Sequence, residues 1–141
     1  MSSNLNEEES FVIECESPDN KWITVFEDDG ETSYMYLCSL NDDGEFDEIV
    51  DHLWIYNQIN PPIEDCKEVF IIWSDDSNKT ALIVDGECWG MFDLYNKRKL
   101  NARREKNTIV SIEIEVWEKG IKDNEGELLK VGDEWLSNLI Y

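Results

Sequence analysis

The chain has 141 residues, 41% of them hydrophobic, and 33 acids against 12 bases give a formal net charge of −21. That length supports one domain with its own core, and the apolar content excludes disorder throughout. The charge opposes nucleic acid and anionic membranes, and no apolar run approaches the ~20 residues of a membrane-spanning helix.

Residues 1–10, MSSNLNEEES, read as an acidic flexible tail, without the basic and apolar start of a secretory signal. The expected location is therefore cytoplasmic. Residues 11–141 read as a single β-rich domain. FVIEC (11–15) is a short strand, and WITVFEDDGETSYMYLC (22–38) places two β-prone runs around an Asp-Asp-Gly turn. That pattern predicts a hairpin with Glu27, Asp28, Asp29 and Glu31 at its solvated tip. NDDGEFDE (41–48) reads as a second acidic loop that leads into one helical turn, with Asp42, Asp43, Glu45, Asp47 and Glu48 exposed.

HLWIYNQI (52–59) alternates like a strand, which Pro61-Pro62 ends. EVFIIWS (68–74) is nearly continuous in apolar residues and predicts a central strand. TALIVDGECWGMFDLY (80–95) predicts two strands about Asp85-Gly86. TIVSIEIEVWE (108–118) alternates strictly, predicting a half-exposed strand with Glu113, Glu115 and Trp117 on its outer face. DNEGE is a turn, and DEWLSNLIY (133–141) predicts a terminal helix capped by Asp133.

Two segments share a plan. SPDNKWITVFEDDGETSYMY (17–36) and SDDSNKTALIVDGECWGMFDL (74–94) each run from a Ser-x-Asp turn through an apolar strand and an Asp-Gly turn to an aromatic-bearing strand. The opening of each unit resembles the start of a β-propeller inner strand, but two copies are too few for a propeller. The expected fold is mainly β (or α+β): a twisted antiparallel sheet of two meander units, curled or packed on itself, with a short C-terminal helix.

The chemistry-bearing residues argue against catalysis. Cys15, Cys38, Cys66 and Cys88 form no CxxC, and His52 is the only histidine, so a familiar zinc set is absent. The thiols read as reduced and buried. None of the acidic turns has the oxygen-ligand frame of an EF-hand. There is no GxSxG elbow and no phosphate-binding glycine loop. No catalytic residue, cofactor or metal is expected.

The bases are clustered. Residues 1–96 hold 24 acids and three bases, whereas KRKLNARREK (97–106) holds six bases and one acid. The segment contains Lys97, Arg98, Lys99, Arg103, Arg104 and Lys106. It reads as pairing with acidic neighbours within the molecule. Contact with phosphate is the open alternative.

"ESPDNKWITVFEDDGETSYMY", "LWIYN", "IIWSDDSNKTALIVDG" and "MFDLYNKRK" resemble, in order and spacing, a small bacterial family of unknown function with SPDxxW, FEDDGxT and WSxD motifs. The resemblance runs over about residues 13–99. The chain departs from that pattern after Lys99, where a further strand and turn follow. The resemblance implies a compact cytoplasmic β-rich domain and supplies no activity.

The functional expectation is a non-enzymatic binding protein. Its concrete form is an immunity protein that neutralises a basic bacterial toxin domain of the contact-dependent growth inhibition type, such as a nuclease, by occluding its active site. A dense negative field steers a cationic partner inward. The contact residues expected are the two acidic loops and the face carrying Glu113, Glu115 and Trp117, on a monomer. The alternative is a ligand-binding protein or small enzyme with a pocket between the repeated hairpins.

Overall fold

The computed structural model describes residues 10–59, 61–105 and 108–130. The tail and the terminal helix expected at 133–141 fall almost entirely outside these residues. Four strands form the first sheet: β1 (Phe11–Glu16), β2 (Trp22–Asp28), β3 (Thr32–Leu40) and β4 (Phe46–Asn57), in the order β1-β2-β3-β4. A 3-10 turn at Ile63–Asp65 leads to the second sheet. Its members are β5 (Val69–Trp73), β6 (Lys79–Val84), β7 (Glu87–Asp93), β8 (Arg98–Asn101) and, last in the chain, β11 (Glu127–Leu128), in the order β11-β8-β7-β6-β5. β9 (Arg103–Glu105) and β10 (Thr108–Val110) pair with each other, and one helix, α1 (Ile114–Lys119), follows them. All strand pairs are antiparallel. The mainly β antiparallel fold is as expected, and its two meanders form separate sheets with their inner faces together.

Period-two alternation builds the core. Phe26, Met35, Leu37, Leu53 and Ile55 from the first sheet meet Ile71, Leu82, Val84, Trp89 and Phe92 from the second. Burial of such side chains stabilises each by about 1.5–3 kcal/mol. Gly90 permits the closest approach: a Cβ there would stand 2.6 Å from Ile55 Cδ1 and 2.7 Å from Met35 Sδ.

The two repeated units have matching entry turns. Ser17 Oγ and Ser74 Oγ each donate to an Asp two residues on, at 2.6 Å and 2.7 Å. Each hydroxyl also accepts the backbone N–H five residues on, from Trp22 and Lys79, at 3.0 Å in both cases. The Asp19 N–H donates to Ser77 Oγ at 3.0 Å, tying one turn to the other. Asp85 and Gly86, with φ of 49° and 83°, supply the left-handed pair that a tight hairpin needs.

Three expectations change. β4 begins at Phe46, so the second acidic loop enters a strand and not a helical turn. β5 is an edge strand by pairing; its continuous apolar character goes with packing beside β1, to which its own Trp73 is tied by Nε1 donating to Cys15 O at 2.9 Å. The predicted strand over 108–118 stops at Val110, and 114–119 is α1. Ile112 makes one bridge to Cys88 on the second sheet, and a helical turn then lets Val116 and Trp117 pack beside Ala81 and Met91. Alternation alone could not show that no neighbouring strand would accept the segment.

Candidate functional site

The tips of the two repeated hairpins converge at one end of the molecule. Between them opens a cleft of about 1030 Å³. The β2–β3 turn contributes Asp28 and Asp29, and the β6–β7 hairpin contributes Asp85, Glu87 and Trp89. Ile59, Ile63 and Glu64 from the β4–β5 connection, with Arg104 and Ile109, complete the main walls. Five carboxylates and one guanidinium thus rim a partly apolar floor. Trp89 meets Tyr56 edge to face with centroids 5.7 Å apart.

The four acids of the first tip do not share one environment. Strand alternation turns Asp28 inward, where it is buried. It accepts hydrogen bonds from the Tyr56 hydroxyl and from Gly30 N. Burial and the neighbouring carboxylate push the Tyr56 hydroxyl far above its ordinary value. Asp29 is exposed and accepts from Thr32 N and Glu31 N, both at 2.9 Å, which lowers its pKa. Glu31 is exposed, and Glu27 is half-buried on the outer face of the first sheet. The expectation of four solvated acids is therefore corrected for Asp28 and Glu27.

Asp42, Asp43, Glu45, Asp47 and Glu48 are all exposed. Asn41 Oδ1 organises their loop, accepting from Asp43 N and Glu45 N at 2.9 Å each. This loop lies at the far end of nine-residue β3 from the first tip. The span is about 25 Å at the usual rise per strand residue. The two acidic loops are thus separate features joined by a sheet face.

Glu113 and Glu115 are exposed, but α1 carries them on the second sheet's side. Glu115 lies 3.8 Å from Lys119. Trp117 is half-buried in the satellite apolar cluster, with Lys79 Nζ 5.6 Å from its ring centre. It does not share a strand face with the two glutamates. His52 is exposed and lies outside the hairpin-tip cleft.

Among its described residues, much of the basic segment is spent inside the molecule. Lys99 is buried and its Nζ stands 3.0 Å from Asp51 Oδ1 while donating to His52 O at 2.8 Å. Asn101 Nδ2 donates to Trp54 O at 2.7 Å and Arg104 Nη1 to Asn57 O at 3.0 Å. These three side chains satisfy carbonyls along the free edge of β4 and join the sheets there. Arg98 donates to Glu125 O at 2.6 Å and Gly126 O at 3.3 Å. Arg103 pairs with Glu105 at 3.2 Å, both exposed. The sequence suggested carboxylate pairing; backbone carbonyls in fact take much of the basic charge, and nothing in residue order marks that.

The register exposes a surface that the sequence reading missed. Opposed residues of an antiparallel sheet share a face. On the outer face of the first sheet, Val12, Glu27, Tyr34 and Trp54 form one row across four strands. Glu14, Val25, Tyr36 and His52 form the next, and Glu16, Ile23, Cys38 and Ile49 the third, in which Ile23 and Cys38 are buried. Tyr34 stacks on Tyr36 at 6.1 Å and meets His52 edge to face at 5.7 Å. The signal was available in the alternation of 34, 36 and 38, but its strand partners were needed to show the rows.

Two packed antiparallel sheets joined by side chains at one edge, with a cleft between hairpin tips, define a small all-β domain. The chain belongs to a family of uncharacterized proteins conserved in bacteria, DUF2251, whose model matches residues 5–130. That match extends past the 13–99 stretch and takes in the basic segment, β9–β11 and α1. No curated protein and no solved structure matches the chain.

Proposed function

We propose that this protein is a non-catalytic binding protein that captures and neutralises a basic protein partner. One observation carries the reading. Lys99, Arg98 and Arg104 are engaged by internal carbonyls and Asp51, whereas Asp29, Glu31, Asp42, Asp43, Glu45 and Glu48 are exposed and take no part in the four ion pairs among the described residues. The negative field is therefore directed outward, where it accelerates encounter with a cationic protein. The concrete form is an immunity protein for a bacterial toxin domain whose cationic groove serves phosphate chemistry. Occlusion of that groove inhibits without a chemical step.

The test is an affinity capture from the native cells with washes at low and high salt. The expected result is one basic protein held stoichiometrically at low salt, and toxic when expressed without this protein. Reversing Asp29, Glu31, Asp42 and Asp43 to Lys is expected to abolish both capture and protection. Unchanged capture by that variant would refute the electrostatic reading.

The hairpin-tip cleft favours a second reading, a ligand-binding pocket. Its partly apolar floor, carboxylates and Arg104 suit a small molecule bearing both charges. Ligand-induced stabilisation that disappears in Arg104→Gln, together with an empty capture, would favour it.

A further inference from the structure

The two sheets are treated differently on their outer faces. Residues 112–121 close over the second sheet, where Ile112, Val116, Trp117 and Ile121 pack against Ala81, Met91 and Ile83. The first two rows of the first sheet's outer face stay partly open, whereas Ile23 and Cys38 in the third row are buried. Val12 and Ile49 are 51% and 55% exposed there, His52 is exposed, and Tyr34, Tyr36 and Trp54 are half-buried.

We infer that this outer face is the docking surface, and that its occupant is a partner segment bearing Arg or Lys beside apolar residues. This rests on the partner reading above and adds the contact surface to it. Charge complementarity selects the occupant. The three rows of the face carry Glu14, Glu16 and Glu27 and no lysine or arginine. Tyr34 and Tyr36 stand in the rows of Glu27 and Glu14, so a guanidinium can meet a ring face and a carboxylate together. Glu27 lies close enough to help raise the Tyr36 hydroxyl above its ordinary value, second to burial. Aromatic rings with adjacent carboxylates are strong anchors for cations. The face also runs between the two acidic loops, which attract the partner at either end.

The aliphatic members explain the selectivity of such a surface. Val25 lies between Glu14 and Tyr36 in its row, and Val12 flanks Glu27 in the row of Tyr34. A uniformly charged segment leaves these groups in water, whereas one alternating basic and apolar side chains covers them.

The test uses the full chain and a fluorescein-labelled peptide of alternating Arg and Val, about 7 residues long to match the strands it would cover. Anisotropy gives Kd at physiological salt. Tyr34→Ser with Tyr36→Ser is expected to weaken binding by about tenfold or more with net charge unchanged. Tyr34→Phe with Tyr36→Phe keeps the ring faces and is expected to bind like the parent, which guards against a folding artefact. Amide shifts on titration are expected along β1–β4. Equal binding by the Ser variant, with loss on reversing the acidic loops, would overturn this surface and leave the partner reading standing. No peptide binding even at low salt would overturn both. Binding that emerges only after Trp135→Ser would make the chain's own C-terminal segment the occupant, and would overturn the proposal.

Discussion

Removing the charge of Lys99 tests how the two sheets are held at the β4–β8 edge. The Lys99 side chain is 7% exposed and that of Asp51 is fully buried, with Nζ and Oδ1 3.0 Å apart. Asp51 also accepts from His52 N and Lys130 N, both at 2.7 Å. Lys99→Met keeps much of the aliphatic stem and leaves a buried carboxylate with two backbone donors and no close counter-charge. Breaking a buried pair from one side costs about 3–5 kcal/mol. The two retained donors place the expected loss near the lower end, about 3 kcal/mol. For a domain of this size that lowers Tm by about 10 °C. Urea unfolding at 25 °C measures the loss. The double variant with Asp51→Asn is expected to be at least 1 kcal/mol more stable than the sum of the single changes implies, because no charge is then stranded. A single-variant loss below about 1 kcal/mol, or simple additivity, would show that water screens the pair and that it does not hold this edge of the sheets together.

Tyr56→Phe removes the hydroxyl that donates to buried Asp28, and the loss expected by the same unfolding assay is about 1–3 kcal/mol. Gly90→Ala drives a methyl against Ile55 and Met35 in the core, with an expected cost of about 1–3 kcal/mol and a matching fall in urea midpoint. Burial raises Cys38 and Cys88 to about 11, so alkylation at pH 8.5, followed by mass spectrometry, is expected to modify both far more slowly than in the unfolded chain. Both thiols stay protonated in the fold at pH values where the unfolded chain ionises. Their contribution to stability is therefore complete below about pH 9 and is lost as pH rises towards 11, which a pH series of melts reads directly.

Local chemistry made much of the fold legible in the sequence. Asp85-Gly86 and Asp-Asp-Gly mark hairpins because their backbones accept left-handed geometry, and the Ser-x-Asp turns repeat because their hydrogen bonds close within six residues. Period-two alternation chose Phe26, Met35 and Leu37 for the interior. The acidic excess and the basic island were likewise plain from composition. What each charge meets was decided only by the tertiary structure. Glu27, Asp28 and Asp29 are adjacent in the chain, yet one lies on a sheet face, one beneath Tyr56 and one in the turn itself. The segment 112–119 could not keep its alternating strand, since pairing needs a neighbour and, among the described residues, only Cys88 offers a bridge. Lys99, Asn101 and Arg104 spend their donors on the carbonyls of β4, a strand more than forty residues earlier. Alternation and turn chemistry act between near neighbours, so sequence order carries them. Burial, counter-charge and the rows of an outer sheet face arise between distant segments, and exist only once the two sheets have met.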